Sequence, residues 1–113
     1  MSLDVTLMVT KPCEVYSGNI THNLGKMASA VILGNGKTLY DVLWRPDEHG
    51  YTKASDILPM LREGMDELIS FPDKYKAYNP ENGWGSYENF VQFVYQYRSA
   101  CIMDPDADLE ISR

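Results

Sequence analysis

The sequence has few cysteines and no long apolar run. Its two cysteines, Cys13 and Cys101, are too few for a disulfide scaffold, and no Cys/His spacing is typical of zinc sites. The longest apolar runs fall far short of the roughly 20 residues that span a bilayer. No basic segment followed by an apolar one, as in a signal peptide, opens the chain. These absences predict a cytoplasmic protein with no membrane contact, no metal and no cofactor.

Positive charge is also scarce. The chain has 10 lysines and arginines against 16 aspartates and glutamates, which gives a net charge of −6 at pH 7. A general nucleic-acid binder needs a basic face that displaces counterions from the phosphates. The charge balance therefore argues against direct nucleic-acid binding, and the sequence leaves the oligomeric state open.

The sequence does contain enough apolar residues for one core. Its 113 residues are 44% apolar and 23% charged, which is typical of soluble domains, and residues 1–113 fit a single globular domain. Apolar residues alternate with polar ones at both ends and predict strands over 4–10 and 106–112. We expect these strands to pair in one sheet, with four side chains turned inward: Val5, Leu7, Leu109 and Ile111.

The middle of the chain shows helical periodicity. It predicts helices over 24–33, 37–44, 56–70 and 86–102, a single turn at 73–78, and a loop at 45–50. Residues 14–17 predict a second short strand, which a turn at 17–19 ends. Pro59 is expected in the first helical turn, and either a close helix neighbour or sequence drift would explain Gly64. The fold class is therefore α+β, mostly helical, with three to four helices and a small sheet formed by the N- and C-terminal strands.

Two segments could form a binding site. The first is Asn19-Ile20-Thr21-His22-Asn23, whose amides, hydroxyl and imidazole could orient a small ligand by directional hydrogen bonds. Helix capping by Thr21 or Asn23 and a turn at Asn19 would explain part of the same pattern. Both interpretations stay open on the sequence alone.

The second segment is the loop Asn79-Pro80-Glu81-Asn82-Gly83-Trp84-Gly85, followed by Ser86 as an N-cap and Tyr87. Trp84 lies between two glycines, which allow a sharp bend or a close approach to another surface. The indole could stack on a ring or a sugar. Alternatively, it folds back as a lid on the core and donates its N–H to a carbonyl. Asn82, Trp84 and Tyr87 are candidate ligand-binding residues here.

Three other patterns are weaker. Gly34-Asn35-Gly36-Lys37-Thr38 ends like a phosphate-binding loop but lacks its leading glycine and its preceding strand, so a helix stop is favoured. The aspartates of 104–110 resemble the start of a calcium loop but lack its later ligands. Cys13 or Cys101 could pair with His22 as a thiolate, although Cys101 lies on the core stripe of a predicted helix. No catalytic residue is therefore assigned.

As a set, several motifs resemble a family of small uncharacterised proteins of bacteria and bacteriophages. The matching residues are Asn19-Ile20-Thr21-His22-Asn23 with Met27, Leu43-Trp44-Arg45-Pro46, Asn79 to Tyr87, and Pro105-Asp106-Ala107. The resemblance implies a bacterial or phage setting and carries no activity, so no functional residue is transferred.

The sequence thus predicts a cytoplasmic, non-enzymatic domain that binds an unknown small molecule. The candidate site combines Asn19, Thr21, His22 and Asn23 with Asn82, Trp84 and Tyr87. The alternative is an acidic module that interacts with a host protein, or an inhibitor of a host nucleic-acid enzyme, since an excess of acids can complement a basic cleft.

Overall fold

The alternating apolar residues near the start of the chain form the central strand of a three-stranded antiparallel sheet. The structure, a computed structural model, describes residues 2–10 and 13–113. The strands are β1 (Ser2–Thr10), β2 (Cys13–Thr21) and β3 (Asp108–Ser112), in the order β2-β1-β3. The predicted pairing of the first and last strands is confirmed. Leu7 lies opposite Leu109 and Val5 opposite Ile111.

The helices lie between β2 and β3 in the chain. In the described ranges they are α1 (Gly25–Ala30), α2 (Leu39–Trp44), α3 (Ala54–Ser70), α4 (Pro72–Lys76) and α5 (Tyr87–Met103). Two 3₁₀ turns accompany them, His22–Leu24 and Pro46–His49. The predicted α+β class is confirmed. The five α-helices exceed the three to four expected because the predicted single turn at 73–78 forms a short helix, α4.

Strand β1 follows the predicted alternation over most of its length. Leu3, Val5 and Leu7 are fully buried, and Leu109 and Ile111 of β3 pack against the same core. Val9 departs from the pattern, since it is 48% exposed while Met8 is nearly buried. The pairing register shifts on either side of Met8, and a bulge of this kind reverses which face the following side chains occupy.

Strand β2 is longer than predicted. Ser17, Gly18 and Asn19 continue the strand instead of turning, so the predicted turn is wrong. Asn19 lies opposite Asp4, and its side-chain amide donates to the carboxylate of Asp4 and, at 2.8 Å, to Ser2 Oγ. Pairing with β1 therefore overrides the local turn propensity.

The first predicted helix ends three residues early, at Ala30. The backbone of Val31 is extended, and Ile32 forms an isolated bridge with Thr38. Helix α2 then begins after Thr38, whose hydroxyl accepts from the Asp41 N–H while the Asp41 carboxylate accepts from the Thr38 N–H. This reciprocal capping box explains where α2 starts.

Helices α3 and α5 pack against each other beside the sheet. Helix α3 begins two residues earlier than predicted, so Pro59 lies in its second turn rather than its first. A Cβ on Gly64 would lie 2.9 Å from Leu39 Cδ1, which confirms a close helix neighbour, α2. Helix α5 begins as predicted, with the Ser86 hydroxyl accepting from the Asn89 N–H at 3.1 Å.

Candidate ligand-binding groove

The two segments that the sequence singles out touch each other at Gly85. This glycine has a φ of +106°, and a Cβ there would lie 2.8 Å from Thr21 Cγ2 and 3.1 Å from Leu24 Cγ. Only glycine combines that backbone conformation with so close an approach. The loop over 79–85 therefore crosses the end of β2 in direct contact with it.

This crossing separates two hollows in the surface. The first, which we call the β2–α5 groove, has a volume of about 510 Å³. It is lined by Tyr16, Ser17, Gly18, Asn19, Ile20, Thr21, Trp84, Gly85, Asn89, Gln92, Phe93 and Gln96. The second, the His22 cleft, has a volume of about 780 Å³. It is lined by His22, Asn23, Lys26, Ala77, Tyr78, Asn79, Pro80, Glu81 and Asn82.

The lining of the β2–α5 groove shows how it is built. One wall consists of six consecutive residues, 16–21, whereas the face of a strand would contribute only every second residue. This wall is therefore the edge of β2. The opposite wall comes from Asn89, Gln92, Phe93 and Gln96, whose spacing of three, four and seven places them on one face of α5.

Aromatic packing holds the two walls together. The ring of Tyr16 stacks on Tyr97, with ring centroids 6.0 Å apart, and Phe93 contacts Tyr97 at 5.9 Å. Burial raises the pKa of Tyr16, and the nearby Cys101 raises it further. Tyr16 therefore stays neutral, and it adds no charge to the groove.

Trp84 is 71% exposed, so the interpretation of this residue as a lid on the core is wrong. The Asn82 side chain accepts from the Trp84 N–H at 2.9 Å and shapes the loop, and Gly83 has a φ of +76°. The indole thus lies at one end of the β2–α5 groove, where it offers an aromatic surface to a ligand.

The structure divides the seven predicted site residues. Asn19, Thr21 and Trp84 line the β2–α5 groove, whereas His22, Asn23 and Asn82 line the His22 cleft. Tyr87 lines neither of them. It is buried, its hydroxyl donates to the Leu68 carbonyl at 2.6 Å, and burial raises its pKa.

Some of the polar atoms in the first segment already have partners. The Thr21 hydroxyl accepts from the Asn23 N–H at 3.3 Å, as the capping interpretation predicts. Trp44 Nε1 donates to His22 Nδ1 at 2.9 Å, which places the proton of the neutral imidazole on Nε2. This hydrogen bond joins His22 to a tryptophan that is 1% exposed. It therefore stabilises the fold, and it occupies Nδ1 of the imidazole.

The sequence interpretation missed the α5 wall. Asn89, Gln92 and Gln96 are exposed polar residues on the helix, and no local motif marks them as ligand-binding residues. One sequence pattern could have identified this wall, because three uncharged amide side chains recur on one face of the predicted helix. Phe93, between these amides, is only 5% exposed.

The structure shows the surroundings of the weaker chemical patterns. Burial raises the pKa of Cys101 to about 12, so its thiol stays protonated, and the side chain of Cys13 lies outside the described part. The 34–38 segment follows a helix and closes on itself, with the Lys37 N–H donating to Asn35 Oδ1 at 3.0 Å. The described residues contain no cluster of three metal-ligating side chains, and none of their helices could cross a bilayer.

Comparison with known proteins adds no relative. No family model matches the chain, and neither a curated protein nor a solved structure does.

Proposed function

We propose that the chain is a binding domain without a catalytic role and that the β2–α5 groove holds an uncharged, polar ligand. One observation carries the proposal. None of the twelve residues that line the groove is charged, whereas a charged fraction of 23% would place about three among twelve. The His22 cleft, by contrast, includes Lys26 and Glu81.

The side chains of the groove support this class of ligand. The amides of Asn89, Gln92 and Gln96 both donate and accept hydrogen bonds, so they suit hydroxyl and amide groups. Trp84 adds a flat apolar surface against which a ring or a methylene group can pack. An anionic or cationic ligand would lose hydration there without meeting a countercharge, which is unfavourable.

The proposal includes a cytoplasmic setting in bacteria or bacteriophages. The motif resemblance described above supports the bacterial or phage setting.

The charge distribution weighs against the alternative of an acidic inhibitor of a nucleic-acid enzyme. Such an inhibitor needs an uninterrupted acidic surface to complement a basic cleft. In the described chain, basic side chains interrupt the acids. Arg45 lies 2.8 Å from Glu48, Lys53 lies 2.5 Å from Asp108, and Arg113 lies 3.0 Å from Asp47.

Trp84 provides the test. A panel of uncharged disaccharides, nucleosides and short uncharged peptides is screened by thermal shift and tryptophan fluorescence, alongside sugar phosphates and nucleotides. We expect an uncharged compound to raise the melting temperature and to change the emission of the exposed Trp84, because binding to the folded state alone is stabilising. Trp84→Ala should abolish the rise in melting temperature, a readout that does not depend on the indole as a fluorophore.

The matched control is Tyr95→Ala. Tyr95 is also an exposed aromatic residue, at 51%, and it does not line the groove. This variant should therefore bind like the wild type. Preference for the phosphorylated compounds, or binding that survives Trp84→Ala, would contradict the proposal.

A further inference from the structure

The two edges of the sheet differ. The edge at β3 is protected, since Asp108 forms a bridge and an ion pair with Lys53, and the Leu109 N–H donates to the Thr52 carbonyl at 2.9 Å. Acids at 108 and 110 add charge along this strand. Charged side chains and covering backbone are the usual means by which proteins prevent an edge from pairing with another chain.

The edge at β2 has neither kind of protection over residues 16–21. Residues 16–21 include no charged side chain and no proline. Within the described chain, residues 16–20 make no backbone hydrogen bond except to β1. Because neighbouring residues of an edge strand point their backbone groups alternately toward and away from the sheet, outward N–H and C=O groups face the groove.

We propose that the occupant of the β2–α5 groove is an extended peptide segment of a partner protein, which pairs with β2 as a fourth strand. This inference rests on the proposed function and names its ligand. A peptide backbone is an uncharged polar chain of amides, which matches the uncharged lining. Addition of a strand to a sheet edge gives affinity through main-chain hydrogen bonds, while neighbouring side chains select the sequence.

The dimensions fit one strand. Six residues of β2 extend over about 20 Å at the rise of a strand, so they can pair with a segment of similar length. Helix α5 lies along the other side of the groove, where Gln92 and Gln96 can contact the side chains of the bound segment. Trp84 and Gly85 lie at the end of the groove where β2 finishes at Thr21.

Charge favours a foreign peptide over a second copy of the chain. Two copies would each bring a net charge of −6, which opposes their association. The exposed acid Glu14 lies just beyond the uncharged lining, before Tyr16, whereas Glu88 at the other end lies 3.8 Å from Lys76. We therefore expect a segment with uncharged residues in the groove and lysine or arginine at the end beside Glu14.

A display library of random linear heptapeptides tests the inference. It is selected on the wild-type protein and then measured on Gln92→Trp, which fills the groove from an exposed helix position. Tyr95→Trp is the matched control, since it places the same side chain on α5 outside the groove. We expect selected peptides to bind the wild type and Tyr95→Trp equally and Gln92→Trp about tenfold or more weakly, because the filled groove excludes the strand.

Two readouts distinguish strand addition from other binding. Peptides are N-methylated at one position at a time. At every second position the methyl group should weaken binding about tenfold, since it removes a main-chain donor. Amide hydrogen exchange should slow at the outward-pointing N–H groups within 16–21 and stay unchanged in β3. Peptides that tolerate N-methylation at every position, or that protect no amide within 16–21, would overturn the inference.

The remaining outcomes separate this inference from the proposed function. If no peptide prefers the wild type over Gln92→Trp while uncharged compounds still bind through Trp84, strand addition is refuted and the binding domain stands. If neither binds, both proposals fail. A dimer in sedimentation that Gln92→Trp dissociates and Tyr95→Trp preserves would replace the peptide with a second copy.

Discussion

Replacing Gly85 with alanine tests the contact on which the site depends. The left-handed φ of +106° costs an alanine about 1–2 kcal/mol. The new methyl group would also lie 2.8 Å from Thr21 Cγ2, and overpacking of this kind costs about 1–3 kcal/mol. We therefore expect Gly85→Ala to lower the free energy of unfolding by about 2–5 kcal/mol.

Gly36→Ala is the matched control. Gly36 also has a positive φ, +86°, but a Cβ there would have no atom within 4 Å. In this variant the free energy of unfolding should fall only by the cost of the left-handed backbone conformation, about 1–2 kcal/mol. The difference between the two variants isolates the packing of the 79–85 loop on Thr21.

The assay is urea and thermal unfolding of both variants beside the wild type. For a chain of 113 residues, 1 kcal/mol corresponds to about 4 °C in melting temperature. Gly85→Ala should therefore melt about 4–12 °C below Gly36→Ala. Equal melting temperatures would refute the close crossing of the loop over the end of β2, and with it the placement of Trp84 in the groove.

Three further variants test other parts of the fold. Deletion of 106–113 should lower the melting temperature sharply, because it removes the strand paired with β1 and exposes the part of the core against which Ala107, Leu109 and Ile111 pack. Asp41→Ala should cost about 1 kcal/mol at pH 7 through loss of the capping box. The Thr38 N–H lowers the pKa of Asp41. This contribution is therefore fully present above the ordinary carboxyl pKa and is lost as the pH falls through the lowered pKa of the folded state, which unfolding measured against pH should show. His22→Ala should cost about 1–3 kcal/mol, because the buried Trp44 N–H loses its acceptor.

For each of these variants, one outcome would contradict the prediction. A truncated chain that melts like the full one but loses binding would make the tail a recognition segment. A cost for Asp41→Ala that persists unchanged at acid pH would exclude the carboxylate as its source. His22→Gln can supply a new acceptor to Trp44, so equal loss in His22→Ala and His22→Gln would argue against the hydrogen bond.

The sheet was predictable where its signal is local. The alternation of Leu3, Val5 and Leu7 predicts both the strand and its buried face, because side chains of a strand alternate by geometry alone. The exposure of Val9 was not predictable, since it depends on a register shift relative to the partner strand. Likewise, Ser17, Gly18 and Asn19 have turn propensity, and only their pairing with residues distant in sequence makes them a strand.

The candidate site was predictable in part. Loop chemistry identified the segment around Trp84, and the density of polar residues identified Asn19 to Asn23. The α5 wall escaped prediction because an amide on a helix surface has the same local pattern whether it faces solvent or a groove. The edge of β2 lines the groove with its backbone N–H and C=O groups. Every residue type except proline has both groups, so the sequence does not show which of them face a ligand.

The pairing of β1 with β3 has a consequence for the order of synthesis. Met8 lies opposite Asp108, one hundred positions later in the chain, whereas the hairpin of β1 and β2 joins neighbouring segments. On the ribosome the hairpin can form early, but the second edge of β1 stays open until all five helices have emerged. Contacts so distant in sequence slow folding, because a long loop must close before they form. During translation the nascent chain therefore exposes two unpaired strand edges, and only the completion of β3 removes one of them.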